Sequence, residues 1–209
     1  MQNMSKLLLL SFALSFVTSE ANASETIAIN PTNKAALLDG HCGKDEWQAA
    51  TKIELPAEAA IYLMHDKDSL YVCAKGKAED TTVLDLYIEN AATGHLHKFH
   101  LSAQMGERVL TDEGWSEPET WILKDWTGFW VPYFGYEDTE DGKRPKFFRG
   151  LHRQVQVLRK KFPGNSWNMM FGVSIKRDGE WTDSFYPEKA EDSDKSTWGT
   201  FSFTEYSPE

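Results

Sequence analysis

Beyond residue 23 this chain has no apolar pattern of helical spacing with any real length. Short apolar or alternating runs recur instead, at residues 26–29, 53–55, 59–64, 70–74, 83–88, 96–103, 108–111, 129–133, 152–158, 167–176 and 199–204. Gly, Pro, Asn and Asp punctuate them. Many short strands separated by turn signals predict an all-β protein, a two-sheet antiparallel β-sandwich of jelly-roll or immunoglobulin-like type with a few short helical turns.

The alternation also assigns faces, because successive side chains of a strand point to opposite sides. Leu84, Leu86 and Ile88 share one face, with Asp85 and Tyr87 on the other. Met169, Phe171, Val173 and Ile175 form the expected core face of the run at 167–176, opposite Met170, Gly172 and Ser174. Residues 38–72 make one organised unit. Asp39-Gly40 is a turn dipeptide, since Gly takes positive φ without steric penalty and Asp bonds its own following backbone. Residues 44–50 offer one or two helical turns that carry Trp47 as an apolar plug, and the polar turn at 66–69 predicts a β-hairpin between its flanking runs.

The start of the chain reads as an export signal. Lys6 supplies the positive region, residues 7–17 the apolar region, and Ala21-Asn22-Ala23 a small-x-small cleavage site. The apolar run is too short for a stable membrane anchor, and no Cys follows it to carry a lipid. Residues 1–23 are therefore expected to be removed, leaving residues 24–209, roughly 185 residues, as one periplasmic or secreted domain. Its two cysteines, Cys42 and Cys73, read as a disulfide in an oxidising compartment, the alternative being two separate buried thiols. The formal net charge of −10 argues against nucleic acid and against anionic lipid, and is consistent with simple solubility.

The motif order resembles family 9 carbohydrate-binding modules and the related DOMON-like sandwiches. Leu38-Asp39-Gly40, Asp45-Glu46-Trp47-Gln48 and Leu70-Tyr71-Val72 carry the first half of the likeness. Leu84-Asp85-Leu86-Tyr87-Ile88-Glu89, Pro163-Gly164 with Trp167 and Arg177, and Trp198-Gly199-Thr200-Phe201 carry the second. The resemblance implies a β-sandwich that binds carbohydrate without catalysis. It also implies a clamp of two Trp rings, one of them in the segment after Leu70-Tyr71-Val72. Residues 75–82 contain no aromatic residue, so one wall of that clamp is missing by position.

Two stretches, 112–150 and 177–197, read as long irregular loops, which in compact domains are usually functional or mobile. The chain has eight Trp, and Trp115, Trp121, Trp126, Trp130 and Trp181 fall in these stretches. Sugars stack C–H faces on indole rings while polar groups fix their hydroxyls. The expected ligand site therefore combines Trp115, Trp121, Trp126 and Trp181 with Arg177, Asp178 and Glu180, with the 112–150 insert folding back towards Trp181. For any single loop Trp, the competing reading is a satellite core beneath the loop.

Other chemistries are weaker. His95-x-His97 could share a metal but lacks a third ligand. Calcium would suit the family, although no loop has an EF-hand pattern. Haem b is a lower-ranked alternative, drawing on Met64, Met105, Met169 or Met170 with His65, His97, His100 or His152. No Gly-x-Ser-x-Gly elbow or His-Glu-x-x-His motif is present. Loop carboxylates such as Glu117, Glu119 and Asp125 could pair for glycosidic hydrolysis, but carboxylates are too abundant in this chain for that to carry weight. The alternative function is an interaction module of an envelope assembly.

Overall fold

The computed structural model describes residues 26–205 apart from Lys44, so the expected export signal lies outside the described residues. The strands in chain order begin with β1 (Ile27–Pro31), β2 (Thr51–Leu55), β3 (Ala59–His65), β4 (Ser69–Lys75) and β5 (Thr81–Glu89). Next come β6 (Leu96–Leu101), β7 (Met105–Thr111), β8 (Gly114–Trp115), β9 (Trp126–Gly128), β10 (Tyr133–Thr139) and β11 (Gly142–Phe147). The last four are β12 (Arg153–Leu158), β13 (Ser166–Arg177), β14 (Glu180–Tyr186) and β15 (Gly199–Phe203). Helix is limited to three single 3-10 turns among the described residues.

Two curled sheets face each other. One runs β8-β7-β6-β5-β13-β15-β1 with β14 added beside β13, and the other runs β1-β3-β4-β12-β9 with β2 added beside β3. β1 belongs to both, pairing in parallel with β15 through Ile27–Ile29 and with β3 through Asn30 and Pro31. The remaining pairs are antiparallel, as expected for a sandwich, and the parallel β1 joins the layers along one side.

The period-2 reading holds. Leu84, Leu86 and Ile88 meet Met169, Phe171, Val173 and Ile175 on the inner face of the first sheet, all of them buried. Ile61, Leu63, Leu70, Val72, Val155 and Val157 line the facing layer. Phe162, Trp167 and Phe203 continue this core in edge-to-face contacts, with ring centroids 4.8–5.4 Å apart, the arrangement that aromatic quadrupoles favour.

The β3–β4 hairpin turns where expected. Asp66 Oδ1 accepts from the backbone N–H groups of Asp68 and Ser69 at 2.8 and 2.7 Å, and Tyr71 donates to Oδ2 at 2.8 Å. Gly40 has φ of +84°, and a Cβ there would meet the Phe129 ring at 2.5 Å, so both turn and packing require glycine. The buried Gln154 anchors this loop. It accepts from Gly40 N–H at 2.7 Å and donates to the carbonyls of Leu37 and His41. Trp47 does plug the outer face of the second sheet, packed with Met64, Tyr71 and the Cys42–Cys73 disulfide. It sits on bends and turns, however, not on a helix.

Three expectations need correction. Residues 129–132 form no strand. The stretch 112–150, read as irregular, contains β8, β9 and the separate two-stranded hairpin β10–β11. The stretch 177–197 contains β14, paired along β13 from Phe171 to Arg177. The β10–β11 hairpin packs no face into the core, and the inward face of β14 carries Thr182 and Ser184, with only Tyr186 as an apolar contact to the core. The periodicity that marks half-buried strands is absent there.

Candidate functional site

At one end of the sandwich three connections converge. They are the β4–β5 loop, the β13–β14 turn, and the β10–β11 hairpin with the segment that follows it. Asp80 ties the first two together. Its almost fully buried carboxylate accepts from Arg177 Nε at 2.9 Å and Nη2 at 2.7 Å, and from Lys77 N–H at 2.7 Å. The Arg177 guanidinium holds the Asp80 carboxyl below its ordinary range. Arg177 Nη2 also reaches the Ala57 carbonyl at 3.1 Å. The third connection joins through Gly150 N–H, which donates to the Asp80 carbonyl at 3.1 Å.

Between these elements lies a cleft of about 1090 Å³. Trp181 enters it from β14, half-exposed, with Lys176 Nζ 5.7 Å from its ring centroid. Phe147 and Phe148 enter it from the insert. Phe148 is 49% exposed and rests edge-on against Phe134 at 4.9 Å. Polar groups converge on the same space, among them Glu79, Asp178 and Arg149. Apolar ring faces beside a few polar groups are the usual make-up of a small-molecule site.

Of the seven residues expected to bind ligand, Trp181, Arg177 and Asp178 line this cleft. Arg177, expected to orient hydroxyls, is committed to Asp80 and fixes the two loops instead. Glu180 begins β14 but does not line the cleft. Trp126, expected in a loop, is on β9 and only 4% exposed, packed edge-on to Phe99 at 5.1 Å. It has no ring face free for stacking. Trp115, on β8, packs against Tyr87 on the outer face of the first sheet, with the Arg108 guanidinium over its ring. Trp121 is 91% exposed but outside the cleft. The insert does fold back towards Trp181, but it brings Phe147 and Phe148 instead of Trp121 or Trp126.

A smaller hollow of about 320 Å³ lies on the outer face of the first sheet between Tyr87, Lys98, Asp183 and Phe185. Asp85 at its floor is held by Lys98 at 3.1 Å and His100 at 2.7 Å. Burial works against the charge of Asp85, yet these partners keep its carboxyl below the ordinary range.

The histidines do not assemble as a His-x-His pair. His97 turns inward onto Glu107 at 2.7 Å, and His95 is exposed. His152 lies close to Cys42 and Cys73, but both sulfurs are committed to the disulfide. His152 Nδ1 accepts from Cys42 N–H at 2.7 Å, and burial pushes the imidazole down to about 4. Met64, Met105, Met169 and Met170 are all buried in apolar clusters. Among the described residues no helix is long and apolar enough to cross a membrane.

No protein-family model matches the chain, and no curated protein does. Solved structures do. A candidate carbohydrate-binding protein from Bacteroides uniformis is similar over 87% of this chain and 100% of that one, with TM-score 0.53 and 8% identity. The likeness is one of fold. Two structures of a family 9 carbohydrate-binding module from Caldicellulosiruptor kristjanssonii, one with cellotriose and one with glucose, also match. Their TM-scores are 0.46 and 0.47, at 12% and 13% identity, over 88% of this chain and 95% and 98% of theirs. The two-sheet β-sandwich expected from the sequence is thus met, and the Bacteroides uniformis structure shares that fold.

Proposed function

We propose that this protein is an exported, non-catalytic carbohydrate-binding protein whose site is the cleft walled by Trp181 and Phe148. The observation that carries the reading is the pair of half-exposed rings, set on separate elements, that line one roomy polar cleft. Stacking needs an exposed ring face held in place. Trp181 is held by β13–β14 pairing, and Phe148 by its contact with Phe134. The lost Trp wall after β4 is replaced in this reading by the Phe pair of the insert. The fold shared with a candidate carbohydrate-binding protein is consistent with it, as is the sugar bound in each of the two module structures. The reading invokes no cofactor and no metal. The disulfide and the signal-like start support export.

The test is a glycan array, followed by calorimetry with the best-bound glycan on wild type, Trp181→Ala and Phe148→Ala. Loss of a central aromatic anchor weakens binding on the order of 2 kcal/mol, and melting curves should barely move because both rings are already half in solvent. A blank array, or full binding by both variants, would remove this reading. The exposed Trp121 and Ile122 favour the second reading, a protein-interaction module, and a blank array would bring it forward.

A further inference from the structure

The charge of the cleft runs against the charge of the chain. The protein has 32 acidic and 22 basic residues, yet seven basic side chains line the cleft against four acidic ones. Ion pairs account for three of the seven: Lys77 with Glu58, Arg144 with Glu137, and Arg177 with Asp80. Lys146, Arg149, Arg153 and Lys176 form no ion pair among the described residues. Two of the acidic groups, Glu79 and Asp178, are likewise outside any pair, so an excess of cations remains.

Arg153 is the decisive member. It is 3% exposed, at the start of β12 on the face that carries Val155 and Val157 into the core. Its Nη1 donates to the carbonyls of Leu151 at 3.1 Å and His152 at 3.5 Å, while its Nε has no partner. Burial lowers its pKa to about 10, with no opposing anion, so it remains charged at neutral pH. A buried guanidinium without a counter-charge is costly, and such groups are ordinarily paired. Arg153 is among the residues that line the cleft.

We propose that the ligand of this cleft is an acidic glycan, one whose carboxylate or sulfate group is taken by Arg153 with Arg149, Lys146 and Lys176 around it. This rests on the carbohydrate reading above and names its substrate class. Guanidinium groups suit such a ligand because their planar fork matches carboxylate and sulfate oxygens. The stacking rings then hold the sugar face while the cations select its charge.

Calorimetry on the purified protein tests this with four probes of matched length: oligogalacturonates, sulfated galactan oligosaccharides, cello-oligosaccharides and polyaspartate. The acidic sugars should bind about tenfold or more tighter than the neutral ones, as a charge-assisted hydrogen bond implies. Their affinity should fall as salt rises. The stronger of the two acidic arms assigns carboxylate or sulfate. Arg153→Met should abolish the preference for charge. Arg149→Gln, at a surface position safe for folding, should reduce it several-fold with an unchanged melting curve. Equal binding of neutral and acidic sugars would overturn the inference and leave the sugar reading standing. Polyaspartate binding as tightly as the uronates, with no response to Trp181→Ala, would keep the anion site and remove the sugar. Binding of none of the four would remove both.

Discussion

Glu107 offers the sharpest test of how the two layers are held. It stands on β7 facing the core, 8% exposed, and accepts from His97 Nδ1 at 2.7 Å and Lys161 Nζ at 3.0 Å. Lys161 follows β12 of the other sheet and also donates to the Lys124 carbonyl at 2.9 Å. The pair therefore bridges the sandwich. Burial pushes the Glu107 carboxyl up, but the hydrogen bonds from His97 and Lys161 outweigh it and leave it below its ordinary 4.5. Glu107→Gln keeps the shape and removes the charge, leaving a nearly buried ammonium without its anion. Breaking a buried pair this way costs about 3–5 kcal/mol. Lys161 keeps 12% of its side chain exposed, which favours the lower end. At about 3 kcal/mol the melting temperature falls by about 6–12 °C in a domain of this size. A carboxyl with a depressed folded pKa contributes stability that is complete above its unfolded pKa and is lost as pH falls through the folded one. The gap between wild type and variant should therefore be full near pH 7 and shrink as pH falls below the ordinary 4.5 and through the depressed folded pKa. Urea denaturation across that range measures it. A gap under about 1 kcal/mol, or one that stays constant with pH, would refute the assigned ion pair.

Reducing the Cys42–Cys73 disulfide, which spans 31 residues, should destabilise the fold by about 3.5 kcal/mol, read from melts with and without reductant. Two titratable thiols in the protein purified without reductant would contradict the bridge. Gly128→Ala should destabilise by about 1–3 kcal/mol through overpacking, because its Cβ would stand 2.6 Å from Leu101 and 3.1 Å from the Gln154 carbonyl. An unchanged melting curve would show that the β9 contact is looser than described. The His152 imidazole should titrate near 4 by NMR, well below its ordinary value, because its burial disfavours the charged form. Titration near neutrality would place it in solvent.

The fold was legible wherever a strand buried one face. Leu84, Leu86 and Ile88, or Phe171, Val173 and Ile175, announce their orientation because one layer of the core depends on it. Asp66 and Gly40 were legible for a different reason, since each meets a local backbone need. β14 and the β10–β11 hairpin were not, because Trp181, Phe185, Phe134 and Tyr136 remain exposed and obey no core pattern. The site was legible in part. Arg177, Asp178 and Trp181 follow the motif order to the cleft, but Trp126 looked like a loop residue while it fills the core beside Phe99. Phe147 and Phe148 lie outside the Trp pattern, although the run Lys146-Phe147-Phe148-Arg149 sets two rings between two cations. Arg153 could not have been found from sequence. Its alternation with Val155 and Val157 marks it as inward, but only the end of the sandwich makes that position a cleft wall.

The most direct test of the proposed site is the indole region of an ¹⁵N-resolved NMR spectrum, in which each Trp Nε1–H reports separately. Titration with trigalacturonate, and in parallel with cellotriose, should move the Trp181 indole resonance, leaving the exposed Trp121 and the buried Trp126 in place. Movement of Trp121 with Trp181 unmoved would put the site elsewhere on the insert, and no movement of any indole with either sugar would contradict carbohydrate binding at this cleft.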